Sequence, residues 1–157
     1  MATSALQQEL RQRRPFHSLA HEAVLALMRT ADLVRRQIAD LVEPYGITPQ
    51  QFNVLRILRG AGADGLPTLE VAGRMIEQTP GVTRLLDRLE AKELVRRQRC
   101  PKDRRQHLCW ITPRGLAVLQ KIDAVSQRAA DDVLKGLRTK DRETFVRLLD
   151  AIRAAHR

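Results

Sequence analysis

Aromatic side chains are scarce in this 157-residue sequence, which has one Trp, one Tyr and three Phe. Modules that bind single strands stack bases on exposed rings, so this composition argues against that class. Cysteine is nearly absent too. Two residues cannot build a disulfide framework, and a reducing cytoplasm is the expected location. No apolar run approaches the roughly 18 to 20 residues of a membrane span, so no membrane partner is expected. The opening MATSALQQELRQRRPF lacks the apolar centre of a secretory signal. Catalytic motifs are missing as well: there is no G-x-S-x-G and no Gly-rich phosphate loop. Asp131 and Asp132 are adjacent, so on a helix they point different ways. We expect no enzyme, no cofactor and no metal.

What the chain has in excess is positive charge. It carries 28 basic and 18 acidic residues, a net charge of +10 and a pI near 10.9. A balance this basic implies an anionic partner. The surplus is also uneven. Residues 84–105 hold nine cations and four acids, so half of the net charge lies in 22 residues. Within them RRQRCPKDRR, residues 96–105, is broken by Pro101 and cannot be a helix interior. Like charges packed on a loop repel, and a polyanion would relieve the repulsion.

The hydrophobic periodicity predicts mainly helix with one β-hairpin. A long amphipathic helix covers Phe16 to Val42. Thr48, Pro49 and Gln51 form a capping box for a second helix, with Ile47 and Phe52 spaced as a hydrophobic staple. A Gly-rich loop follows at 60–67. Thr68 is the expected cap of a helix over 68–78, and Thr79-Pro80 starts the next, over 79–92. Its Val82, Leu85, Leu86 and Leu89 make an apolar stripe, with Arg84, Arg88 and Lys92 opposite. Leu94-Val95 and HLCWI, 107–111, form the hairpin around CPKDRRQ. Thr112-Pro113 caps a helix to about Leu134, and Thr139 caps the last, to about Ala155.

The order of helices and hairpin is that of a winged helix–turn–helix. Helix 79–92 suits a major groove, and the wing, 96–109, suits the adjoining minor groove, where Arg is favoured. The candidate DNA contacts are Thr79, Pro80, Gly81, Thr83, Arg84, Asp87, Arg88 and Lys92 on the helix. On the wing they are Arg96, Arg97, Lys102, Asp103, Arg104 and Arg105. Asp103 is expected to orient an arginine at the tip by a bidentate pair.

TPGVTRLLDRLEAKELVRR followed by DRRQHLCWITPRG resembles the MarR family of bacterial transcription regulators, over nearly the whole chain. Asp103-Arg104-Arg105 and Ile111-Thr112-Pro113-Arg114-Gly115 match the family's wing signature. The resemblance implies a homodimer on a pseudo-palindromic operator. It implies an N-terminal dimerisation helix at 1–46, a DNA-binding domain at 47–112 and C-terminal dimerisation helices at 113–157. It also implies a repressor released by a small phenolic or anionic effector. The family usually has Gly where this chain has Glu93, just after the helix, a place for a left-handed C-cap.

Rival readings come from other residues. Cys100 lies among arginines, which suits a reactive thiol and redox sensing. If 98 pairs near 107, Cys100 and Cys109 are offset by about three residues, too far for a disulfide. His17 and His21 have a spacing that can bind zinc, but lack a clear third ligand. A basic module for structured RNA or an acidic protein is the alternative function.

Overall fold

The computed structural model describes residues 4–78, 80–101, 103 and 105–156. The chain divides into two compact units, residues 1–40 and 41–157.

The first unit holds α1 (Ala5–Glu9) and most of α2 (Leu19–Val42). The Ser4 hydroxyl accepts from the Gln7 N–H at 3.2 Å and caps α1. Arg29 on α2 donates to Glu9 at 2.8 Å. The long helix starts at Leu19 rather than Phe16, because the Ser18 hydroxyl takes the His21 N–H at 3.1 Å and sets the N-terminus there. His17 and His21 stack with ring centroids 5.5 Å apart. Among the described residues no group of three or more His, Cys, Asp or Glu is placed to hold a metal.

The second unit is built around α3 (Pro49–Ala61). Both halves of the capping box are made: the Thr48 hydroxyl accepts from Gln51 N–H at 3.2 Å, and the Gln51 side chain accepts from Thr48 N–H at 3.1 Å. Ile47 and Phe52 are buried together with Leu55 and Leu58. α3 packs on α5 (Val82–Ala91), on α6 (Pro113–Val133) and on the sheet. Leu86, Leu89, Leu119 and Ile122 are fully buried and complete the core.

The sheet has three antiparallel strands in the order β1-β3-β2: β1 is Leu66–Pro67, β2 Val95–Arg99 and β3 His107–Ile111. The hairpin is as expected, with Gln98 opposite Leu108. The additional strand falls within the Gly-rich loop. Gly65 permits it: its φ is +69°, and an added Cβ would lie 2.5 Å from the Trp110 indole.

α4 is only Thr68–Gly73, shorter than the expected 68–78. The chain leaves the helix to bury Met75, and the Ile76 N–H is taken by the Asn53 side chain at 2.9 Å. Thr68 is not a cap. Its hydroxyl faces the His107 carbonyl and the Cys109 sulfur. α7 covers Thr139–Ala154, with Arg138 rather than Thr139 in the cap position. No described helix is long and apolar enough to cross a membrane.

Candidate nucleic-acid interface

The amphipathic pattern of α5 decides which residues it can offer. Val82, Leu86 and Leu89 are buried, so Thr83, Arg84, Asp87 and Arg88 face outward. Gly81 precedes the helix with φ +101°, a backbone that side chains rarely adopt. Pro80 and Gly81 are exposed at this entry. Thr79, Lys102 and Arg104, three of the expected contacts, lie outside the described residues.

The helix ends in a Schellman motif. Leu94 N–H donates to Leu89 O at 2.9 Å, and Glu93 N–H to Glu90 O at 2.8 Å. Glu93 takes the left-handed position, with φ +57°. A side chain there costs roughly 1 kcal/mol relative to glycine. Two contacts hold it: Arg114 donates to its carboxylate at 2.8 Å, and the Thr112 hydroxyl to its carbonyl at 2.7 Å.

Several of the expected cations are engaged within the protein. Lys92 donates to the Gly46 carbonyl. Arg96 lies over its cross-strand neighbour Trp110, its guanidinium carbon 4.3 Å from the ring centre. The Trp110 N–H donates to the Ala63 carbonyl at 2.9 Å. Arg97 corrects the expectation most clearly. Its side chain is only 18% exposed and is engaged by Asp87 and Glu90. Burial works against its charge, and the hydrogen bonds to Glu90 and Asp87 more than offset it, so its pKa is raised. Asp87 is thereby committed to Arg97 as well.

At the tip, Asp103 accepts from the Arg105 backbone N–H at 3.0 Å and from the Gln106 side chain at 3.1 Å. Among the described residues its carboxylate shapes the turn and holds no guanidinium. All four acids of residues 84–105 are therefore engaged: Asp87 and Glu90 by Arg97, Glu93 by Arg114, and Asp103 by its own turn. Arg84, Arg88, Arg99 and Arg105 are exposed, with no ion pair among the described residues.

Cys109 is buried opposite Arg97, and Cys100 is half-buried near the tip. Burial raises the Cys109 thiol pKa, countered by the Thr68 hydroxyl and by Arg97.

Sequence reasoning missed Glu90, Trp110 and Gly65 as parts of this assembly, and it named Gly115 only within the wing signature, without its packing role. Gly115 has the clearest signal: it stands in the first turn of α6, where a Cβ would run into the Leu94 carbonyl.

A recognition-type helix beside a cationic hairpin defines a winged helix–turn–helix of the DNA-regulator class. Comparison with known proteins narrows this. Residues 47–107 match the model of the MarR family. A MarR transcription factor from Planctomyces limnophilus is 32% identical, with a TM-score of 0.68, 87% of this chain and 99% of that one being covered. BpsR of Bordetella bronchiseptica, whose DNA binding is regulated by 6-hydroxynicotinic acid, is 25% identical with a TM-score of 0.74, covering 83% of this chain and 98% of that one. The transcriptional regulator MhqR of Bacillus subtilis is 26% identical, covering 71% and 75%. The chain belongs to the MarR family. It is a transcription regulator and not an enzyme.

Proposed function

We propose that the protein is a homodimeric repressor that binds a pseudo-palindromic operator. Segment 47–112 forms the DNA-binding domain, and segments 1–46 and 113–157 form the dimer. The observation that carries this is the charge segregation on α5 and the wing. Asp87, Glu90 and Glu93 are paired with arginines within the protein and Asp103 is held by its own turn, so Arg84, Arg88, Arg99 and Arg105 are left for phosphates and base edges. α5 serves the major groove and the wing the minor groove. Thr79, Lys102 and Arg104 complete the contact set.

The dimer reading rests on exposed apolar side chains. Leu19, Val24, Leu27 and Met28 on α2, and Val146, Leu148 and Ile152 on α7, are large, apolar and exposed in the single chain. A second copy covers them, and two-fold symmetry then requires matched half-sites. The effector is a small phenolic or anionic molecule, a reading supported by the regulation of BpsR by 6-hydroxynicotinic acid.

The test is a titration of a candidate palindrome and a random duplex at several salt concentrations. Preference for the palindrome by about 10³-fold or more is expected, with a steep salt slope. Equal affinity for both would favour a general basic module for RNA or acidic proteins. Sedimentation at micromolar concentration is expected to show a dimer, and a clean 17.9 kDa species would refute it.

A further inference from the structure

The most basic stretch of the chain contains one arginine that turns inward. Arg97 donates through Nη2 to Asp87 Oδ1 at 2.5 Å and to Glu90 Oε2 at 2.6 Å. Its Nε donates to Glu90 Oε2 at 3.0 Å, and its backbone N–H to Glu90 Oε1 at 3.1 Å. Asp87 and Glu90 are one turn apart on α5, and Arg97 is the middle residue of β2. Four hydrogen bonds thus join the recognition helix to the first strand of the wing.

The topology explains why such a joint is needed. β2 is an edge strand, paired only with β3. β3 is itself backed only by the two-residue β1, at Leu108 and Cys109, so the sheet lends the hairpin little stiffness. Val95 anchors one end of β2 in the core, while Gln98 and Arg99 are exposed at the other. Between these ends, Arg97 is the side chain that ties the strand to α5. Its planar fork serves two carboxylates at once, which a lysine ammonium cannot reproduce.

We propose that Arg97, together with Glu90 and Asp87, is a positioning group for operator recognition. It fixes the wing against α5, so that Arg105 reaches one groove while Arg84 and Arg88 occupy the next. Arg97 does not itself touch the DNA. This rests on the DNA-binding function proposed above.

The decisive variant is Glu90→Gln. It raises the net charge by one, and electrostatics alone would leave duplex binding unchanged or tighter. With Arg97 as a positioning group, operator affinity instead falls about tenfold, the size of one lost charge-assisted hydrogen bond. Affinity at or above wild type overturns the proposal. A double-mutant cycle decides independently, including where Glu90→Gln lowers stability. In the wild-type background Arg105→Ala is expected to weaken binding about tenfold. In an Arg97→Lys background the same change is expected to cost less than about twofold, because the wing is already misplaced. Full multiplicative losses overturn the proposal. Failure of the wild-type protein to prefer a palindrome would instead remove the DNA-binding reading itself, and is seen before any variant is compared.

Discussion

Arg114, in the first turn of α6, donates to the carboxylate of Glu93, the residue that stands in a left-handed conformation at the end of α5. The pair is exposed and contributes at most about 1 kcal/mol. Glycine would relieve about the same amount of backbone strain. Glu93→Gly is therefore expected to be neutral or stabilising by up to about 1 kcal/mol. Glu93→Ala loses the ion pair and keeps the strain. Urea unfolding should rank Gly above Ala; the reverse order would contradict the assigned backbone.

Gly115 backs directly onto the Leu94 carbonyl, and backbone cannot move aside as a side chain can. Gly115→Ala is expected to destabilise by about 2–3 kcal/mol. Gly65→Ala meets both a φ of +69° and the Trp110 indole, and a similar loss is expected. Unfolding free energies within about 0.5 kcal/mol of wild type, roughly the scatter of neutral surface changes, would show that either site relaxes freely.

Arg84→Ala and Arg88→Ala are expected to cost about 1–3 kcal/mol on the best operator and to relax preference at the half-site core. Arg105→Ala should weaken binding most where the flanks are A·T-rich. Affinities measured on operators with altered cores and flanks separate the two effects. An unchanged affinity for Arg105→Ala would remove the wing from the interface.

Thiol chemistry should distinguish the two cysteines. Cys109 is fully buried and its thiol pKa is raised, so it should resist a thiol reagent until the protein unfolds. Cys100 is accessible in part. One thiol per chain is expected to react in the native protein and both in denaturant. Cys109 pairs with Arg97, three residues from Cys100, a separation of about 10 Å along the strand. Oxidised protein should therefore show no bridge within one chain.

Asp141 is expected to contribute to the pH dependence of α7 on the acid side. Its hydrogen bond with Arg138 at the start of α7 holds its pKa below the ordinary carboxylate value. A carboxyl depressed on folding adds stability above its unfolded pKa and loses it as the pH falls through the folded one. The onset of α7 should thus loosen on acidification, and Asp141→Asn should flatten that response. Helicity followed against pH would show it.

Local signals carried much of the architecture. The capping box at Thr48 and Gln51, the stripe Val82-Leu86-Leu89 and the hairpin around Pro101 are contiguous, so periodicity exposes them. What stayed hidden depends on partners distant in sequence. The two-residue strand at Leu66 exists only because Cys109 and Leu108 pair with it. Arg97 looked like another solvent-facing cation because nothing local reports that two acids of α5 converge on it. Asp103 had turn chemistry within three residues, and among the described residues its carboxylate serves that turn and meets no guanidinium. The short α4 reflects a tertiary demand, the burial of Met75, which helix propensity does not register.

Thr112 alone separates the last wing strand from α6. Its hydroxyl accepts from the Gly115 N–H and donates to the Glu93 carbonyl, and its own N–H donates to the Leu94 carbonyl. One threonine therefore seats the end of the recognition helix, the wing and the start of α6 in a single stiff elbow. A tilt of α6 is therefore expected to pull on the end of α5 through this joint.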